Sequence, residues 1–275
     1  MAVTTELPFQ TITPHLAVGT NPPAGWRSIR EFPLVILVGV TGVGKSTLLK
    51  EMVQSPTRFL LLPDRRDLTD QLIISTMQAA AGLPIAPVTD RGQRFTYTRR
   101  YREHYPGGMA HALTQLWVSN DSSTDLLVFD GLRGANEVGY AAAALPLARF
   151  VMLDAPDLVR LQRLLGRGDA FDHITLTAPA NGAAASFADL GLPEANAIFS
   201  SSEEAAILNW LQQGTVSSDN LRAKLQIVIE ERRNYDPKAT LEALHSHAPD
   251  TTLYIDTVQH GPSEIASQVI TWLTP

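Results

Sequence analysis

The chain contains no cysteine, which excludes disulfides, thiolate zinc sites and thiol catalysis. No apolar run approaches the ~18 residues of a membrane span, so no membrane segment is expected. Basic residues are in deficit: 22 Lys and Arg stand against 28 Asp and Glu, a net charge of −6. That balance argues against broad nucleic-acid binding, although a local basic cleft stays open. The first ten residues, MAVTTELPFQ, lack a charged n-region and an apolar h-region, so no secretory leader is expected and the cytoplasm is the expected compartment. The histidines, His104, His111, His245 and His247 among them, have too few partners at ligand spacing for a metal site. There is no internal repeat. What remains is a chain of 275 residues, 44% hydrophobic and 18% charged. That is enough for one α/β domain with a sizeable core and room for insertions.

One segment dominates the rest. Residues Gly39-Val40-Thr41-Gly42-Val43-Gly44-Lys45-Ser46 fit G-x-x-x-x-G-K-[ST], the Walker A or phosphate-binding P-loop. The apolar run Leu34 to Val38 leads in and a helix-like stretch from Ser46 to Val53 leads out, the strand–loop–helix setting that this loop requires. Glycines let backbone N–H groups close on phosphate oxygens. The helix start aims unpaired N–H groups and a positive dipole end at the same anion. The expected cradle is Gly39, Thr41, Gly42, Val43, Gly44, Lys45, Ser46 and Thr47. In it Lys45 reaches the β/γ-phosphates, Ser46 ligates Mg²⁺ and Thr47 donates to the α-phosphate.

Around that segment the pattern is of short apolar strands separated by helices. Strands are expected at Arg58–Leu62, Asp125–Asp130, Ala148–Asp154 and Thr252–Asp256, which predicts a parallel sheet covered on both faces. Residues 1–33, with five prolines, read as an irregular N-terminal arm, and residues 34–275 as a single domain carrying a lid and helical insertion at about 155–250. The span from Gly82 to about Pro106 shows no clear period, and Met109 to Trp117 reads as a helix after Gly107-Gly108. Ser201-x-x-Glu204 is a capping-box candidate. The amphipathic stretch Leu221 to Arg233 places Leu221, Leu225 and Val228 on one face.

Several polar residues fall where chemistry would need them. Asp130 ends an apolar strand, where ligands of open α/β sheets bind, and is the candidate second acid of a Mg²⁺ site. The next residue, Gly131, is not the carboxylate that motor-type ATPases use to activate water. Arg133 and Glu137 are spaced to pair on a helix, or Arg133 points at a phosphate. Arg160, Arg163 and Arg167 share one helical face and read as lid arginines that close over a transferring phosphoryl group, with Asp169 and Asp172 as anchors. Arg91, Arg94, Arg99, Arg100 and Arg102, interleaved with Tyr97, Tyr101 and Tyr105, suit an anionic or nucleotide-like acceptor. Asp64, Arg65, Arg66 and Asp67 are further acceptor candidates.

The P-loop, the Asp130-Gly131-Leu132-Arg133…Glu137 segment, the Arg160/Arg163/Arg167 face and the terminal Leu253-Tyr254-Ile255-Asp256-Thr257 strand together resemble the P-loop kinases. The likeness is to the nucleoside-monophosphate-kinase-like group, within the wider class of ATP-binding P-loop NTPases that also takes in AAA-type proteins. It covers roughly residues 34–172 and 250–274. It implies a three-layer α/β/α fold with a five-stranded parallel sheet in order 2-3-1-4-5, a lid after the fourth strand, and ATP with Mg²⁺. The residues after the acid differ from the Gly-Phe-Pro-Arg of adenylate kinases, and residues 173–250 match no lid of the group. Asn-Lys-x-Asp and Leu-Ser-Gly-Gly-Gln are absent, which sets aside GTPases and ABC ATPases. Two functions are expected to compete. One is transfer of the γ-phosphoryl group of ATP to a small anionic or nucleotide-like acceptor. The other is an ATP-binding switch whose insertion meets a protein partner.

Overall fold

The computed structural model describes residues 7–121, 126–166 and 184–274, without the side chain of Arg91. Three short strands open the chain: β1 (Gln10–Thr13), β2 (Leu16–Val18) and β3 (Trp26–Ser28). β4 (Leu34–Val38) leads through the glycine-rich loop into α1 (Lys45–Val53). β5 (Leu60–Leu61) is followed by α2 (Arg65–Leu68), a π-helical turn (Thr69–Ile74) and α3 (Ser75–Ala80). Then come α4 (Arg91–His104), α5 (Met109–Leu113), β6 (Trp117–Ser119), β7 (Leu127–Leu132), α6 (Ala135–Ala144), β8 (Ala148–Asp154) and α7 (Asp157–Leu165). α8 (Ser201–Gln212), α9 (Ser218–Asn234) and α10 (Pro237–His247) precede β9 (Thr252–Asp256) and α11 (Pro262–Leu273).

Five strands form a wholly parallel sheet in the order β5-β7-β4-β8-β9, which is 2-3-1-4-5 by sequence. β4 is its centre, and all five of its residues are buried. Alternate residues explain why the run is continuously apolar. Ile36 and Val38 join Phe129, Phe150, Met109 and Val138 in the core on one face. Val35 and Leu37 join Leu48 and Met52 of α1 and Ile265 and Val269 of α11 on the other. This three-layer α/β/α arrangement is the one expected. A third core belongs to the insertion, where Leu161 and Leu164 of α7 pack with Leu221, Leu225 and Val228 of α9. No helix among the described residues is long and apolar enough to cross a membrane.

Four local expectations are corrected. The N-terminal segment is not an irregular arm: β1, β2 and β3 build a second, antiparallel sheet with β6 in the order β1-β2-β6-β3. Strands of three or four residues carry too little period to be seen, and their partner lies about ninety residues away at Trp117–Ser119. The arginine-rich stretch after Gly82 holds a 14-residue helix, α4, capped by the Asp90 carboxylate accepting from Gln93 N. It is polar on most sides, so it lacks the apolar stripe that announces a helix. The capping box of α8 is Ser200 with Glu203, one residue earlier than expected. The helix expected over Met109–Trp117 stops at Leu113, and Trp117 begins β6.

Candidate functional site

β4 ends at the carboxyl edge of the sheet, and the loop that follows is built on left-handed glycines. Gly39, Gly42 and Gly44 have φ of +140°, +89° and +107°. At Gly42 a Cβ would also lie 3.0 Å from the backbone oxygen of Arg160. Gly42→Ala is therefore expected to cost about 1–3 kcal/mol of stability through backbone strain alone, and thermal unfolding measures it. The loop delivers α1, in which the Thr47 and Leu48 N–H groups both donate to Gly44 O at 3.0 Å and the N–H groups of Lys45 and Ser46 precede the in-helix ladder. Lys45 Nζ lies inside this turn, donating to Gly39 O at 2.8 Å and Val40 O at 3.1 Å.

Asp130 arrives from the neighbouring strand. Pairing of β4 with β7 shifts register after Leu37–Asp130, so that Val38 pairs with Leu132. This irregularity at Gly131 re-aims the end of the strand. Asp130 Oδ1 comes to 3.7 Å from Lys45 Nζ, is buried and accepts no hydrogen bond from the described residues. An acceptor-only atom in that state fits a hard cation. Burial lowers the Lys45 pKa from its ordinary 10.5, with Asp130 opposing the shift. Lys45, Ser46, Asp64, Asp130 and Arg133 meet at one cavity of about 230 Å³. A separate cavity of about 370 Å³ lies beside Gly44 and Thr47, lined by Leu48, Leu153, Arg163 and Ile265 among others.

Arg133 lies between the end of β7 and the start of α6, so it does not share a helix with Glu137, and the side-chain pair expected from the i, i+4 spacing is not formed. Its guanidinium donates to Glu231 Oε1 at 2.9 Å, and only its backbone N–H reaches Glu137, at 3.1 Å. Glu137 instead grips Arg65 through two bonds of 2.8 and 2.6 Å, while Arg65 also donates to Gly131 O. That fork raises the Arg65 pKa despite its burial and fixes the Asp130–Gly131 corner from behind.

Arg160 and Arg163, expected on a lid face, are packed against the phosphate loop in this structure. Arg160 is fully buried. Its Nε donates to Thr41 O at 2.9 Å, its Nη2 to Glu231 Oε2 at 2.5 Å, and its Nη1 to Asp157. Arg163 donates to Gly42 O at 3.3 Å and to Thr257 Oγ1 and O at 2.8 and 2.9 Å. Both therefore hold the outer, carbonyl side of the loop, because an amphipathic α7 packed on the insertion core turns this face toward the loop and not toward solvent. Arg167, Asp169 and Asp172 lie outside the described residues.

The sequence missed Glu231. It reaches from α9 to accept from Thr41 N at 3.0 Å through both oxygens and from Thr41 Oγ1 at 2.6 Å. With Arg133 and Arg160 it completes a line of alternating charge, Arg133–Glu231–Arg160–Asp157–Arg232, that ties the loop to the insertion. The only local signal was an acid on an amphipathic helix whose buried face faced an unknown neighbour. The described side chains of the expected arginine cluster do not gather on the phosphate cavity, and that of Arg91 lies outside the described residues. Arg94 pairs with Asp70, Arg99 pairs with Glu103 on an exposed face, Arg100 is exposed, and Tyr101 bonds His111 at 2.8 Å in the core. Asp64 lines the cavity while capping α2, accepting from Arg66 N and Asp67 N.

No protein-family model and no curated protein match the chain. Among solved structures it is similar to an unliganded sugar kinase from Janibacter sp. HTCC2649, at 15% identity and a TM-score of 0.38 over 88% of this chain and 94% of that one. It is also similar to shikimate kinase from Acinetobacter baumannii in complex with shikimate, at 14% identity and 0.37 over 89% and 94%. A third likeness is to a sulfotransferase from Alicyclobacillus acidocaldarius, at 11% identity and 0.40 over 88% and 80%. Likenesses this loose carry no activity over to this chain.

Proposed function

We propose that this chain is an ATP-dependent phosphotransferase that moves the γ-phosphoryl group to a small acceptor. The observation that carries the reading is the convergence of Lys45, Ser46, Asp130 and Arg133 on one small cavity beneath a left-handed glycine loop. The apolar cavity beside Gly44 and Thr47 takes the base and ribose, and Thr47 reaches the α-phosphate. The loop amides and the α1 N-terminus hold the β-phosphate. Lys45 turns from the carbonyls of Gly39 and Val40 to the β/γ oxygens, and Arg133 faces the group in transit. Ser46 and Asp130 would hold Mg²⁺, which when bound neutralises charge on the phosphate oxygens. Catalysis on this reading is positioning plus electrostatic stabilisation.

A second reading has one specific observation in its favour. Glu231 belongs to the insertion yet binds the loop at Thr41. Nucleotide that moves the loop would move α9 and alter a surface for a protein partner, which describes an ATP-dependent switch.

Calorimetric titration with ATP and GTP, with and without Mg²⁺, tests the site itself. Mg²⁺ is expected to tighten ATP binding, and Asp130→Asn to lose about 10–100-fold in affinity only when Mg²⁺ is present. Affinity indifferent to both Mg²⁺ and Asp130 would refute the assignment. A partner retained in one nucleotide state and released in another would favour the switch.

A further inference from the structure

A larger chamber of about 650 Å³ adjoins the phosphate cavity, and Arg66 lines both. One wall is α2 with the π-helical turn that follows it, contributing Asp67 from the first and Asp70 and Gln71 from the second; the edge strand β1 contributes Thr11 and Ile12; Arg94 reaches in from α4. The two cavities differ in charge. Four cations, Lys45, Arg65, Arg66 and Arg133, face two carboxylates in the phosphate cavity. In the chamber two arginines face two aspartates, and Arg94 is committed to Asp70 and to Val88 O at 3.1 Å. Burial and the neighbouring carboxylates of Asp64 and Asp70 raise the Asp67 pKa, so this wall disfavours another anion.

The polar groups on that wall mostly accept. Two carboxylates line it, and Gln71 Oε1 is buried without a donor among the described residues. A buried acceptor left in that state calls for a donor from outside the chain. Ile12, Ile85 and Val88 offer apolar surface nearby. Donor hydroxyls on an otherwise C–H-faced molecule satisfy every part of this lining, whereas a phosphate or carboxylate has no surplus cation to meet.

Resting on the phosphotransferase reading above, we propose that this chamber is the acceptor pocket and that the acceptor is an uncharged polyhydroxylated small molecule rather than an anion. One hydroxyl oxygen, emerging past Arg66, bonds to the γ-phosphorus of ATP. The bond from that phosphorus to the β–γ bridging oxygen breaks, ADP departs with the electron pair, and the hydroxyl proton passes to the Asp64 carboxylate. The product is a phosphate monoester. The narrowing replaces the anionic acceptor that the arginine count alone suggested, since Arg94 is already neutralised and Arg99 and Arg100 face solvent.

The test uses the full chain with Mg²⁺ and a non-hydrolysable ATP analogue. Glucose, myo-inositol and glycerol are titrated beside gluconate, glucose 6-phosphate and AMP, and transfer from ATP is followed in parallel. At least one neutral member is expected to bind in preference to every anion. Gln71→Ala is expected to weaken it about 5- to 100-fold. Asp67→Asn, a substitution at the exposed rim, is expected to narrow the discrimination against gluconate and AMP and serves if Gln71→Ala does not fold. Preference for any anion, neutral binding unchanged in both variants, or silence across the panel overturns the proposal. Neutral binding without phosphoryl transfer keeps the pocket and sinks the phosphotransferase reading. Transfer to AMP does the reverse.

Discussion

Glu231→Ala is expected to destabilise the protein by about 3–5 kcal/mol, because it strips a fully buried guanidinium of one of its two carboxylates. Arg160 is 0% exposed, and its remaining partners are Asp157 and a single carbonyl. The same change removes the acceptor from Thr41 N–H and from Arg133, so the loss falls on the loop and on the insertion together. Glu231→Gln keeps the shape and removes the charge, and a smaller loss is expected from it. Chemical denaturation of the three proteins at neutral pH reads both effects. A loss below about 1 kcal/mol for Glu231→Ala would show that the charge line contributes little.

The same residue gives a pH dependence. Burial by itself would raise the Glu231 pKa, but Arg133, Arg160 and the Thr41 hydroxyl and N–H outweigh it and hold the pKa below the ordinary 4.5. Lys45 and Asp157 also lie along this line of charge. A carboxylate whose folded pKa is depressed stabilises the fold above its unfolded value, and that stability is lost as pH falls through the folded value. Unfolding free energy is therefore expected to drop below pH 4.5 in the wild type and to drop less steeply in Glu231→Gln. Parallel curves for the two would remove Glu231 from the account of acid stability.

Lys45→Ala is expected to lower turnover by about 10²–10³-fold or more, the scale for removing one preorganised charge from a transition state, while leaving the fold intact. The second half of that expectation comes from its environment. Burial opposes the Lys45 charge, which is why its pKa is lowered, and its hydrogen bonds go to two loop carbonyls. Removing a charge that the fold tolerates poorly costs little stability. Lys45→Arg is not a rescue, because a planar fork does not fit where a compact ammonium sits between two carbonyls. Turnover in Lys45→Ala within a few-fold of wild type would place the chemistry elsewhere.

Legibility of this chain follows the range of the interactions. β4, the loop and α1 are contiguous, so glycine spacing and an apolar run revealed them, and the same holds for Asp130 at the end of its strand. The sheet order 2-3-1-4-5 followed from a resemblance resting on those local segments. Glu231 was invisible because its partner, Thr41, is 190 residues away and nothing in α9 marks which acid turns inward. Arg160 and Arg163 were placed on the right helix face, yet periodicity says which residues share a face and not what covers it. Here the cover is the outer side of the phosphate loop. β1 to β3 were missed for the related reason that strands so short are defined by their partner β6 rather than by their own pattern.

The most direct test of the central claim is ATP consumption by the full chain with Mg²⁺, measured with and without small hydroxyl-bearing acceptors, with Lys45→Ala as the control. Strong stimulation by one compound is expected, with phosphate appearing on that compound in step with ADP, and loss of both in Lys45→Ala. Slow hydrolysis that no acceptor stimulates, despite tight ATP binding, would contradict the claim and leave the nucleotide-operated switch as the reading to pursue.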